Sequence, residues 1–275
     1  MSINFDVVID SPDQSVDMKA GLDTLQGVSD ATRSIAEFLL NERVVQRRSH
    51  KSQVRTNLKK TFKGSYGHIF SLDIYDVDLK RKFNQIGKDT FAELMMFYIC
   101  ESLYLETNKL SEKAEKILEK LGDNSEDLIK QLRVSCLENI HEISTKFYHK
   151  VTVNLRKSRD NRRAIAEFNE STAMALQATA ADEKYDIEAG VTRFNIFTGN
   201  GRLMVKDTTE TVAFGLEENY SKIEIEFKKQ ISENLSKNNV LDLEKWSYLK
   251  FKVQPLKLQD GKVVKYIITG FYNGK

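Results

Sequence analysis

A chain of 275 residues with 40% hydrophobic side chains can bury the core of one large domain or two smaller ones. Only 2 Pro and 13 Gly argue against long flexible linkers, and 42 Lys and Arg against 40 Asp and Glu give a net charge of +2. That sum excludes a uniformly basic or acidic protein but hides two local excesses. Arg43, Arg47, Arg48, Lys51, Arg55, Lys59, Lys60 and Lys63 follow one another with no Asp or Glu between them. Lys146, Lys150, Arg156, Lys157, Arg159, Arg162 and Arg163 face Asp160 alone.

In chain order, Ile3, Phe5, Val7 and Ile9 alternate with Asn4, Asp6 and Val8, which predicts a half-buried strand ended by Ser11-Pro12-Asp13. The start is already alternating and acidic, and so reads as a strand rather than a signal peptide. Leu22, Leu25, Val28, Ile35 and Leu39 recur at helical spacing and predict an amphipathic helix over about 15–42, weakened at Gly21 and Gly27. Two strands at 54–75 then flank Gly64-Ser65 as a hairpin.

Residues 77–147 read as helices. Phe91, Leu94, Met95, Tyr98, Ile99 and Leu103 make a strongly apolar one. Its run to Leu105 contains Glu93 and Glu101 and is too short to span a bilayer. Ser111 is placed to cap the next helix and Gly122 to stop it; Asn124, with Asp127, is placed to cap a third. Val151, Val153 and Leu155 predict a strand, and the Ala-, Glu- and Gln-rich 161–183 a helical connector.

From Tyr185 the period is two. Strands are expected around Ile187–Ile196, at Leu203 and Val205, and at 211–214. A helix follows through Phe227 and Ile231, then strands at 250–253, ended by Pro255, and at 263–268. Thr198-Gly199-Asn200-Gly201 and Asp260-Gly261 read as turns.

The strand, helix and hairpin through Gly64-Ser65-Tyr66, together with Phe194-Asn195-Ile196-Phe197-Thr198-Gly199-Asn200-Gly201-Arg202 feeding a terminal small barrel, resemble a group of uncharacterised bacterial proteins found among mobile-element and phage-defence genes. The resemblance covers most of the chain and implies fold and setting. It brings no catalytic residues with it.

Catalytic and metal motifs are weak. His141 and His149 are eight apart, and neither Cys100 nor Cys136 stands beside a His at zinc-ligand spacing, so no metal and no cofactor are expected. Both cysteines lie in apolar patterns, which favours free buried thiols and a reducing compartment. Gly64-Ser65-Tyr66-Gly67 lacks the flanking helix of a nucleophile elbow, and Gly199-Asn200-Gly201 lacks the third glycine of a dinucleotide fingerprint.

The reading is a cytoplasmic α+β protein with no membrane segment. Residues 1–160 form a strand–helix–hairpin unit with the helical insertion 77–147, the connector spans 161–183, and 184–275 form a small β-barrel of about five strands plus one helix. The expected function is a non-catalytic binding or assembly subunit, set by the resemblance in a bacterial antiphage system. Its partner would be a second copy or another protein, with Met95, Met96, Phe97 and Tyr98 on the apolar helix at the contact. The alternative is nucleic-acid binding through Arg43, Arg47, Arg48, Lys51, Arg55, Lys59, Lys60, Lys63, Arg156, Arg159, Arg162 and Arg163, with Phe62 and Tyr66 near enough to stack on bases. An enzyme with an unrecognised site is the third reading.

Overall fold

The computed structural model, which describes residues 2–45, 52–62 and 66–272, divides between Leu176 and Gln177 into two units. In the first, β1 (Ser2–Ile9) is the central strand of an antiparallel sheet. On one side it pairs with β3 (Tyr66–Ile74), which pairs with β2 (Val54–Phe62); on the other it pairs with β4 (Val151–Arg156), then β5 (Arg162–Phe168). The order is therefore β2-β3-β1-β4-β5. Ile3, Phe5, Val7 and Ile9 are all buried, while Asn4 between them stays exposed, so one sheet face is core and the other is polar.

Helices cover the apolar face: α1 (Met18–Asn41), α2 (Val77–Ile86), α3 (Lys88–Ser102), α4 (Glu112–Leu121), α5 (Asn124–Gln131), α6 (Leu137–Phe147) and α7 (Glu170–Leu176). A π-helical turn, Leu132–Cys136, joins α5 to α6. The closest helix pair is α1 with α6, and Gly27 is the reason. A Cβ there would lie 2.6 Å from the Ile140 nitrogen and 2.8 Å from the Cys136 oxygen. The glycine that looks like a weak point in the helix is what lets two backbones meet.

α3 is apolar all round because it is surrounded. Tyr98 packs edge-on to Phe38 at 5.7 Å and places its hydroxyl 3.0 Å from Ser125 Oγ. Phe91 packs on Phe83 at 5.3 Å.

Three local expectations change. Residues 162–168 form a strand rather than a connector. The register skips Ile165, so the buried residues Ile165 and Phe168 stand three apart and the period of two is hidden. The residue at the N-cap position of α5 is Asp123, with no side-chain cap; Asn124 instead donates its amide to Glu42 O at 3.2 Å. Pro255 does not end its strand. Pairing with β7 (Tyr185–Phe194) stops at Val253; beyond it the Pro255 carbonyl accepts from the Ala181 N–H at 2.9 Å, and the Ala181 carbonyl takes the Gln254 side-chain amide at 2.8 Å in place of the N–H that proline lacks.

The second unit closes on itself. β7 pairs with β8 (Gly201–Val205), β8 with β9 (Thr211–Leu216), and β9 runs parallel to β11 (Val263–Phe271). β11 pairs with β10 (Leu249–Lys257), and β10 returns to β7. The two-residue β6 (Thr179–Ala180) adds to the edge of β10. A five-stranded Greek-key barrel of this order, with α8 (Ile225–Asn238) before the fourth strand, is the arrangement of OB barrels. Phe214, Phe251, Val253 and Ile231 fill it.

α8 is pinned by buried amides. β7 bulges between Val191 and Arg193, and the Val191 N–H donates to Asn234 Oδ1 at 2.9 Å. Asn234 and Asn238 each donate to Ser247 O at 2.9 Å. Among the described residues no helix is long and apolar enough to cross a membrane.

Candidate nucleic-acid interface

The polar face of the first unit's sheet collects part of both basic segments. Register puts Arg55, Asn57, Lys60 and Phe62 of β2 opposite Asp73, Ser71, Ile69 and Gly67 of β3. Those residues in turn lie opposite Ser2, Asn4, Asp6 and Val8 of β1. On the far side, Asn4 and Asp6 face Arg156 and Asn154 of β4, and Arg156 faces Arg162 of β5. A bulge between Leu58 and Lys60 leaves Lys59 as the extra residue, and its ammonium sits 3.7 Å from Asp73 Oδ2. Two consecutive lysines thus reach one face, which a regular strand would forbid.

Asp6 anchors the centre. Its carboxylate is fully buried, accepts from Arg156 Nη1 at 2.9 and 3.1 Å, and forms an ion pair with Arg162 Nε at 3.0 Å. Arg162 reaches it over β4 from the edge strand. Both guanidiniums also lie over the Phe62 ring, at 4.9 Å for Arg162 and 6.0 Å for Arg156. Phe62 in turn rests on Gly67, where a Cβ would approach its ring to 2.6 Å. Two charges against one leave this cluster cationic, with an aromatic ring beside it.

A second aromatic–cation pair sits at the other end of the hairpin. The Arg55 guanidinium lies 5.5 Å from the ring of Tyr75, which is 49% exposed. Asn57 donates to Asp73 Oδ2 at 2.6 Å and to the Tyr75 hydroxyl at 3.3 Å. Burial would raise the Asp73 carboxyl, but hydrogen bonds from Asn57, Ser2 and Ser71 and the Lys59 ammonium hold it below its ordinary value. It is therefore a fixed anion that orients Asn57 and Lys59.

Across the face, Arg55, Lys59, Lys60, Arg156 and Arg162 face the carboxylates of Asp6 and Asp73. Lys150 and Glu167 pair at 3.5 Å on the rim. From Arg55 to Phe62 the strand runs roughly 20 Å at about 3.3 Å per residue. Exposed cations over that length, with a ring at each end and amides between, match the chemistry of a single-stranded nucleic acid.

The other predicted residues are elsewhere. Arg47, Arg48, Lys51 and Lys63 lie outside the described residues, as do Gly64 and Ser65. Arg43 is exposed just after α1, and Arg159 is exposed in the β4–β5 turn. Arg163 pairs with Leu155, on the helix-covered side, away from Arg162. Tyr66 also lies on that side, against His68 at 4.7 Å, so it is not part of the platform. Lys157 is paired with Asp89 at 2.5 Å and Lys146 with Glu142. Met95, Phe97 and Tyr98 are all buried within the first unit, so an assembly contact on α3 is left with half-buried Met96 alone.

The histidine and cysteine candidates have structural settings. His141 donates from Nδ1 to Leu137 O at 2.7 Å and has Nε2 2.8 Å from Thr172 Oγ1. Burial holds its pKa below the ordinary value despite the Leu137 carbonyl. Cys136 is buried, and Cys100 is half-buried on α3. Among the described residues no three His, Cys, Asp or Glu groups are placed to hold a metal ion. No family model, curated protein or solved structure matches the chain.

Two residues of the face escape sequence reasoning. Asp6 is visible as a polar position in an apolar strand, but its partners lie about 150 residues away. Tyr75 follows its strand directly, and only the period of two carried past Asp73 assigns it to the polar face.

Proposed function

We propose that this chain is a non-catalytic binding subunit that holds a single-stranded nucleic acid across the polar face of its five-stranded sheet. The observation that carries the reading is the convergence of β2 and the β4–β5 hairpin, remote in sequence, on one face with Phe62 among their guanidiniums. Lysines and arginines would track phosphates, while Tyr75 and Phe62 offer rings to bases. The second unit's OB-type barrel supports the reading by analogy of fold alone. The resemblance to phage-defence-associated proteins supplies the proposed setting, a bacterial antiphage assembly.

The test is fluorescence anisotropy of a labelled, mixed-sequence single-stranded oligonucleotide, titrated at several salt concentrations. Arg55→Ala, Lys60→Ala and Tyr75→Ala alter exposed side chains and should leave the fold intact. Loss of one stacking contact is worth about 1–3 kcal/mol, so Tyr75→Ala should weaken binding at least about fivefold. Each lost phosphate contact should lower the salt slope by roughly 0.7. Binding that ignores salt and all three substitutions would remove the proposal.

A further inference from the structure

A second surface of the first unit, unrelated to the sheet face, also has the makings of a site. Between the end of α1, α2 and α4 lies a groove of about 300 Å³. Its lining includes the apolar Ile86 and Ile117 together with Lys82, Lys113, Lys116 and Lys120 and one carboxylate, Glu42. The helical period explains the lysines of α4. Lys113, Lys116 and Lys120 fall on one stripe of α4 beside Ile117, whereas Glu112, Glu115 and Glu119 occupy the neighbouring stripe.

Two of the four ammoniums already have work. Lys82 donates to Leu40 O at 3.0 Å, at the carbonyl end of α1, and Lys120 pairs with Glu42 at 2.5 Å. Such contacts complement a helix C-terminus and need no ligand. Lys113 and Lys116 make no ion pair or hydrogen bond among the described residues, although three glutamates lie on the same helix. Two uncommitted cations in a groove that also presents Ile86 and Ile117 match a ligand with an anionic end and an apolar body.

We propose that this groove binds a small phosphorylated molecule with an apolar or aromatic body, of mononucleotide size. Its volume stands at the low end of small-molecule sites, about 300–1,000 Å³. An acidic partner helix fits less well. It would need a trough several turns long, whereas α4 spans roughly 15 Å at about 1.5 Å per residue. It would also run against the glutamate stripe, which a ligand with one charged end avoids. The phosphate would lie between Lys113 and Lys116, and the body on Ile86 and Ile117.

Isothermal titration of the full chain with ATP, and separately with inorganic pyrophosphate, tests this. ATP should bind measurably, pyrophosphate at least tenfold more weakly, and the Lys113→Glu/Lys116→Glu double variant should lose ATP binding at least tenfold. Both lysines are exposed, and retained oligonucleotide binding by the double variant would confirm that it folds. Arg55→Ala and Tyr75→Ala should leave the ATP affinity unchanged, which separates this site from the sheet face. The proposal is overturned by no heat with ATP, by equal affinity for pyrophosphate, by an unaffected double variant, or by binding of an acidic peptide in place of ATP.

Discussion

Gly27→Ala sets two effects of known size against each other. In a solvent-facing helix, alanine gains about 1 kcal/mol over glycine through propensity. Here the new methyl would lie 2.6 Å from Ile140 N and 2.8 Å from Cys136 O. Both are backbone atoms of α6 and the π turn and cannot swing aside, so the helices must separate. Overpacking of this kind costs about 1–3 kcal/mol, and parting α1 from α6 loosens the burial of Val28 and Ala31 as well. The clash should win by about 1–2 kcal/mol. With a urea slope of about 2 kcal/mol/M, the midpoint should fall by roughly 0.5–1 M. Far-UV circular dichroism follows the helices, while Trp246, the single tryptophan, reports the second unit. The helical transition should shift and the tryptophan transition should not. An unchanged or higher helical midpoint would refute the close-packing account of Gly27.

The remaining expectations rest on other contacts. Asn234→Leu leaves the buried Val191 N–H without its acceptor and takes from Ser247 O one of its two amide donors, and should lower the stability read by Trp246 by about 1–3 kcal/mol in urea. His68 is 7% exposed, neither ring nitrogen has a hydrogen-bond partner among the described residues, and burial holds its pKa below the ordinary value. The unfolded chain takes up the proton first, so the fold should be most stable above about pH 6.5 and lose stability as pH falls below it. His68→Leu should shrink that acid loss without harming stability at neutral pH, as paired urea titrations would show. Phe97→Asp buries a charge in the first unit and should unfold it in circular dichroism, whereas half-buried Met96→Asp should remain folded.

The elements that can be read from local periodicity are those whose buried residues follow a regular spacing. β1, α1 and most of the barrel satisfy that condition; the 54–75 hairpin is marked instead by the Gly-Ser turn signal in its sequence, since residues 67–72 of β3 are all buried. β5 does not satisfy it either, because its bulge at Ile165 spaces the buried side chains like a helix. α3 is legible as a buried helix, yet whether neighbours or a second chain bury it depends on packing that no spacing encodes. The basic segments are equally visible as charge. Their meeting on one face depends on β1 lying between β3 and β4, an order set by long-range pairing. Asp6 shows the limit most clearly, since its role is defined by two arginines from the other end of the unit.

Ultraviolet cross-linking of the full chain to a single-stranded oligonucleotide, with the modified peptides identified by mass spectrometry, tests the central claim most directly. The account predicts adducts at Tyr75 and Phe62, competed away by unlabelled strand and suppressed at high salt. Adducts confined to the second unit, or to helices on the covered side of the sheet, would contradict it.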